Sequence, residues 1–85
     1  MKLLVTGGTV TIDLHGMNVH QAQVAIDAAL RRAGRATYRI ELIHGYHSGS
    51  ALRDMIRKTY AKHPKVLRLE LGMNMGATDL VLREL

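Results

Sequence analysis

An aspartate and two histidines stand beside glycines at the ends of two apolar runs, Ile12-Asp13-Leu14-His15-Gly16 and Leu42-Ile43-His44-Gly45. Strand side chains alternate faces, so Asp13 and His15 share the face opposite Ile12 and Leu14. A carboxylate and an imidazole at this spacing can act as a general base and its orienting partner. They can also ligate a divalent cation such as Mg²⁺ or Mn²⁺, or simply close a strand end as an ion pair. The second run opens into His44-Gly45-Tyr46-His47-Ser48-Gly49-Ser50-Ala51-Leu52-Arg53. Glycines let backbone N–H groups turn toward a ligand, serines add hydroxyl donors, and the helix that follows begins with unsatisfied N–H groups and a partial positive charge. That is the chemistry of a phosphate cradle. His47 is placed to contact phosphate, and Arg53 and Arg57 lie one helical turn apart on the same side. The same residues are compatible with an ordinary capped turn, with Ser48 or Ser50 as N-cap. Tyr46 can stack on a base or pack over the turn.

The elements that position these groups follow from hydrophobic period. Residues 2–6 and 9–14 flank Gly7-Gly8 and predict either a β-hairpin or a loose N-terminal arm followed by a strand. Asn18 and Gln21 form a capping-box pattern before a helix running to about Ala33, with Val19, Ala22, Ile26, Ala29, Leu30 and Ala33 as its apolar stripe. Val24 lies off that stripe. Thr37–His44 is the second strand. A helix from about Ser50 to His63 carries Leu52, Met55, Ile56, Thr59 and Tyr60 inward, and Pro64 ends it. Lys65–Leu71 alternates as a strand. A loop holding Gly72 and Gly76 then leads to a last strand over about Thr78–Leu85, close enough to pair as a hairpin. The order is β-α-β-α-β-β. It implies an α/β (α+β) two-layer sandwich, a mixed four-stranded sheet with two helices on one face and a possible extra N-terminal strand. Arg39, Glu41, Arg68, Glu70 and Arg83 fall on the wet face. The crossover makes the first two strands parallel, so both His-Gly pairs belong on one rim, the edge where ligands bind in open α/β sheets.

The 85 residues make one domain, divided into an arm or hairpin strand over 1–8 and the body over 9–85. A chain this small buries only about 60–65% of its unfolded surface. With no Trp or Phe, its core is built from Leu, Ile, Val, Ala and Met. The absence of Cys excludes a disulfide framework and a Cys-ligated zinc site. No run reaches the roughly 20 apolar residues of a membrane span, and the expected location is cytoplasmic. A net charge of +5 and a pI near 10.1 point to a polyanionic partner.

These motifs resemble the Smr domain, the small MutS-related domain. The family's first motif, Leu-Asp-Leu-His-Gly, is here Ile12-Asp13-Leu14-His15-Gly16, followed by a polar cap and valine at Asn18-Val19. Its second, His-Gly-x-Gly-x-Gly-x-Leu-Arg, corresponds to His44-Gly45 through Gly49 to Leu52-Arg53. Its Gly-Ala-Thr strand is echoed at Gly76-Ala77-Thr78. The second motif is one residue longer here and lacks its middle glycine. The resemblance covers about residues 10 to 85. It implies the fold derived above, nucleic-acid binding, and in several members endonuclease activity on DNA or RNA, with links to mismatch repair and recombination or to stalled ribosomes. By resemblance Asp13 and His15 are tied to cleavage, and His44, Gly45 and Gly49 to substrate binding. The expected catalytic residues are Asp13, His15 and His44. Those expected to hold the phosphate are Gly16, Gly45, His47, Ser48, Gly49, Ser50, Arg53 and Arg57. The expected partner is RNA or DNA, free or in a ribosome. A binding module without catalysis is the alternative. A domain that binds a nucleotide or an acidic peptide through the turn is a third, lesser reading. Oligomeric state is left open.

Overall fold

The computed structural model describes residues 2–45, 50–72 and 76–84. The chain runs β1 (Lys2–Thr6), β2 (Thr9–Asp13), α1 (Val19–Arg32), β3 (Arg39–Ile43), α2 (Ala51–Tyr60), β4 (Arg68–Leu71) and β5 (Ala77–Val81). The N-terminal run is a strand, not a loose arm. It pairs antiparallel with β2, with Leu4 opposite Thr11. The sheet therefore has five strands in the order β1-β2-β3-β5-β4. Only β2 and β3 are parallel, joined through α1, with Ile12 beside Leu42 and Asp13 beside Ile43. β5 lies antiparallel between β3 and β4.

Both helices cover one face. The α1 capping box forms as expected: Gln21 N–H donates to Asn18 Oδ1 at 2.8 Å, and Asn18 N–H donates to Gln21 Oε1 at 3.0 Å. Ala22, Ala25, Ile26 and Leu30 of α1 and Met55, Ile56 and Tyr60 of α2 pack onto Ile12, Leu14, Ile40, Leu42 and Leu80. Tyr60 is buried with its hydroxyl donating to Asp27 Oδ1 at 2.6 Å, which ties the two helices together. Val24 is exposed on the outer face of α1.

Three expectations change. The strand expected from Lys65 begins at Arg68, because Val66 N–H donates to His63 O at 3.0 Å and the chain is still turning. Val66 consequently joins the core while Leu67 is exposed, the reverse of what alternation from Lys65 gives. Thr59 faces solvent, since the inward stripe of α2 is narrower than expected.

The open face carries an ion network. Arg39 donates to Asp79 Oδ2 at 2.7 Å and to Glu70 Oε1 at 2.9 Å. Arg68 reaches Glu70 at 2.8 Å and also Glu84. Asp79 is buried, and its Oδ1 has no partner among the described residues. Burial pushes its carboxyl above the usual range while Arg39 pulls the other way. A raised folded-state value means that protonation favours the fold. That contribution is complete below the ordinary carboxylate range and is lost as pH rises through the raised value. Arg39→Met leaves this carboxylate without its partner and should cost about 1–3 kcal/mol at neutral pH. Arg68→Ala removes only exposed pairs and should stay within about 1 kcal/mol. Urea unfolding of the two variants checks the difference.

Candidate active site at the His-Gly rim

The parallel pairing of β2 with β3 brings the two His-Gly pairs side by side. Leu14 N–H donates to Ile43 O at 2.7 Å, extending the register past the end of β2. A Cβ built on Gly45 would stand 3.6 Å from His15 Cβ. His15 therefore lies beside Gly45 and Leu14 beside His44. The two motifs are offset by one residue in space, and a one-residue offset moves a side chain to the opposite face.

That offset separates the two histidines. His15 stands on the open side of the rim with 71% of its side chain exposed. Its Nδ1 is hydrogen-bonded to Asp13 Oδ1, which also accepts the His15 backbone N–H at 3.1 Å. An ionised carboxylate can only accept, so Nδ1 carries the proton and Nε2 of the neutral ring is left with a lone pair directed away from Asp13. His44 is on the helix side, 7% exposed. Its Nδ1 is 2.8 Å from Gly45 O and its Nε2 is 3.0 Å from Thr78 Oγ1. A carbonyl can only accept, so Nδ1–H donates to Gly45 and Nε2 accepts from the Thr78 hydroxyl. Both ring nitrogens are thus engaged in holding the turn. Thr78 is the residue missed as a site member, although Gly76-Ala77-Thr78 had been singled out as a motif.

His44 N–H and Gly45 N–H both donate to Gly76 O at 2.9 Å, so β5 anchors the same turn. Gly45 has φ +79° and Gly16 φ +83°, conformations that L side chains avoid. Gly16→Ala and Gly45→Ala should each cost about 1–2 kcal/mol. Among the described residues, the methyl added by Gly45→Ala would meet His15 Cβ at an ordinary contact distance of 3.6 Å. Thermal unfolding of both variants gives the test, and similar losses are expected.

A cleft of about 360 Å³ opens behind the rim between the N-terminal ends of the two helices, lined by Gly16, Met17, Asn18, Val19, His44, Ala51 and Leu52. Ser50 caps α2, but its hydroxyl donates to Asp54 Oδ2 at 2.8 Å and caps no backbone amide. Arg53 Nε reaches Asp54 Oδ1 at 3.4 Å, a long and easily broken bond. The Ser50 bond holds the Asp54 carboxyl below the usual range. Two of the expected phosphate ligands therefore share a local carboxylate, which the i, i+4 spacing of Ser50 and Asp54 could have revealed. Arg57 is exposed one turn further on. His47, Ser48 and Gly49 of the expected cradle, and Tyr46, lie outside the described residues.

The described donors of the rim are a poor match for a hard divalent cation on their own. Mg²⁺ prefers an octahedron of oxygens. Among the described residues no group of three or more His, Asp or Glu side chains gathers to hold a metal, and one oxygen of Asp13 already binds its own imidazole. The arrangement instead suits proton transfer.

A two-layer α+β domain with a carboxylate-imidazole pair on its strand rim is the class defined here. The Smr domain model matches residues 12–82, and the chain belongs to that family. Among solved structures it is similar to the Smr domain of Thermus thermophilus MutS2, with 30% identity and a TM-score of 0.76, covering 87% of this chain and 98% of that one. The search of curated proteins returns no match. The family is known for nucleic-acid binding and nuclease activity. Among the described residues no helix is long and apolar enough to cross a membrane.

Proposed function

We propose that this Smr domain binds RNA or DNA at the His-Gly rim and cleaves its phosphodiester backbone, with His15 as general base. The observation that carries the reading is the exposed His15 ring held through Nδ1 by Asp13. Nε2 takes the proton of the attacking hydroxyl, and Asp13 stabilises the imidazolium that forms. The nucleophile is water or, on RNA, the substrate's own 2′-hydroxyl; as its bond to phosphorus forms, the bond from phosphorus to the leaving sugar oxygen breaks, and that oxygen takes a proton from solvent. Backbone N–H groups at the two helix N-termini and Arg53, released from Asp54, offset the charge that develops on the phosphate. His44 acts as a positioning residue, fixing Gly45 against His15. The partner is free nucleic acid or RNA within a ribosome.

A binding module without catalysis is the second reading. It is favoured by the Asp54 carboxylate at the start of α2, which engages Ser50 and Arg53, two donors that cleavage would need for the charge developing on the phosphate. The experiment that separates the two readings offers end-labelled single-stranded RNA, duplex DNA and branched DNA with Mg²⁺, Mn²⁺ or EDTA. Cleavage supports the nuclease, and a cyclic phosphate end on RNA identifies the 2′-hydroxyl as nucleophile. Binding that weakens steeply with salt but gives no product supports the module. Absence of both contradicts the proposal.

A further inference from the structure

The charges of this domain are divided between its layers. Eight of the twelve Lys and Arg residues fall within segments 18–37 and 50–66, which hold only Asp27 and Asp54 among the acids. The other five acids, Asp13, Glu41, Glu70, Asp79 and Glu84, lie on the strands or just beyond them. On the sheet side Arg39 and Arg68 are bound to carboxylates. On the helical side Arg31, Arg32, Arg57, Lys58 and Lys62 are exposed, and none forms an ion pair among the described residues.

These cations concentrate where the helices end, away from the His-Gly rim where they begin. There an open pocket of about 350 Å³ is lined by Asp27, Leu30, Arg31, His63 and Lys65. Its one acid is engaged, since Asp27 accepts the Tyr60 hydroxyl at 2.6 Å. Lys65 Nζ donates to Leu30 O at 2.8 Å, so this one cation already serves the end of α1. Cations at helix C-termini offset the partial negative charge there. Arg31 and Arg32 lie in the last turn of α1 and share that task, yet neither they nor Lys62 form an ion pair among the described residues.

We propose that this end of the helical layer is a second phosphate-binding surface, holding the backbone of the same nucleic acid that the rim engages. The inference rests on the nucleic-acid reading above. The cations are strung along two helices and do not converge on one point, which suits a linear array of phosphates better than a single small anion. α1 has 14 residues and spans about 21 Å. Along one strand stacked as in a duplex, that separation corresponds to about six nucleotide steps at roughly 3.4 Å each, and a more extended single strand covers it in fewer. Short substrates reach only the rim, and long ones reach both surfaces.

The test compares binding of a 20-nucleotide single-stranded RNA with that of a tetranucleotide from its sequence. The proteins are wild type, Arg31→Glu/Lys62→Glu, the milder Arg31→Gln/Lys62→Gln, and Arg83→Glu as a sheet-side control, each checked for folding by thermal melting. Charge reversal should weaken the 20-mer about tenfold or more and flatten the salt slope by about 1.4, some 0.7 for each lost contact with a single strand. The Gln pair should lose several-fold. Tetranucleotide binding should not change, and Arg83→Glu should behave as wild type. Equal losses on both lengths, an undiminished 20-mer affinity, or an equal loss in Arg83→Glu would overturn the second surface while leaving nucleic-acid binding intact. Failure of the wild type to bind these RNAs and DNA strands of the same sequence and lengths would overturn the nucleic-acid reading itself, and this inference with it.

Discussion

Replacing His15 by alanine is expected to slow single-turnover cleavage by about 10²–10⁴-fold, the range supplied by a positioned general base. Affinity should stay within roughly twofold, because the ring is asked to act on a proton and not to hold the backbone. The expectation follows from the geometry of one pair. Asp13 fixes the tautomer and orientation of His15, and the exposed ring leaves Nε2 open on the side away from Asp13. Asp13→Asn should fall between wild type and His15→Ala. Its amide keeps the size of the carboxylate but lacks the charge that stabilises an imidazolium, and its NH₂ can meet Nδ1 and select the wrong tautomer. His44 variants should behave differently. The His44 ring is engaged by Gly45 and Thr78, so its loss should appear as destabilisation of the turn together with slower cleavage. Stopped-time assays under single-turnover conditions, paired with binding titrations, separate these outcomes.

Leu42→Ala should be the most damaging of the core changes, at about 2–5 kcal/mol. A domain of this length has a total stability of about 4–13 kcal/mol, so a large share of the fold is at stake. Leu42 is 0% exposed on β3, flanked in the sheet by Ile12 of β2 and Thr78 of β5. It sits two residues before His44, so the cavity would open directly beneath the turn that meets His15. Leu71→Ala, 79% exposed at the edge strand, should change stability by no more than about 0.5 kcal/mol. Urea unfolding of the two variants gives the comparison. Equal losses would mean that the core is not centred where the packing places it.

The amino-acid sequence exposed most of this architecture, because the signals were local. Asn18 and Gln21 spelled out a capping box, Ala22, Ile26 and Leu30 a helical stripe, and Ile12, Leu14, Ile40 and Leu42 two strand faces. The N-terminal run remained ambiguous, since Lys2–Thr6 has no clear alternation, and residues 3–6 are exposed. What stayed hidden depends on partners distant in the chain. Val66 reads as the start of a strand until its hydrogen bond to His63 shows that the turn has not finished. Asp79 looks like any strand carboxylate, and only the placing of β5 between β3 and β4 makes it buried and bound to Arg39.

The site shows the same division. That both His-Gly pairs share a rim follows from parallel strands and could be read from the order of elements. That His15 and His44 face opposite sides could not, because it depends on a one-residue offset in register. The repeated dipeptide invites aligning His15 with His44, whereas the sheet aligns His15 with Gly45. Thr78 was visible as part of a motif but had no role until β5 was placed beside β3.

The measurement that tests the central claim most directly is cleavage of end-labelled single-stranded RNA, duplex DNA and branched DNA by wild type and by Asp13→Ala/His15→Ala, purified side by side and assayed with and without EDTA. The account predicts product from the wild type on at least one of these substrates and at least a hundredfold less from the double variant, with both proteins binding that substrate alike. Equal cleavage by the two preparations, or none by either, would contradict it.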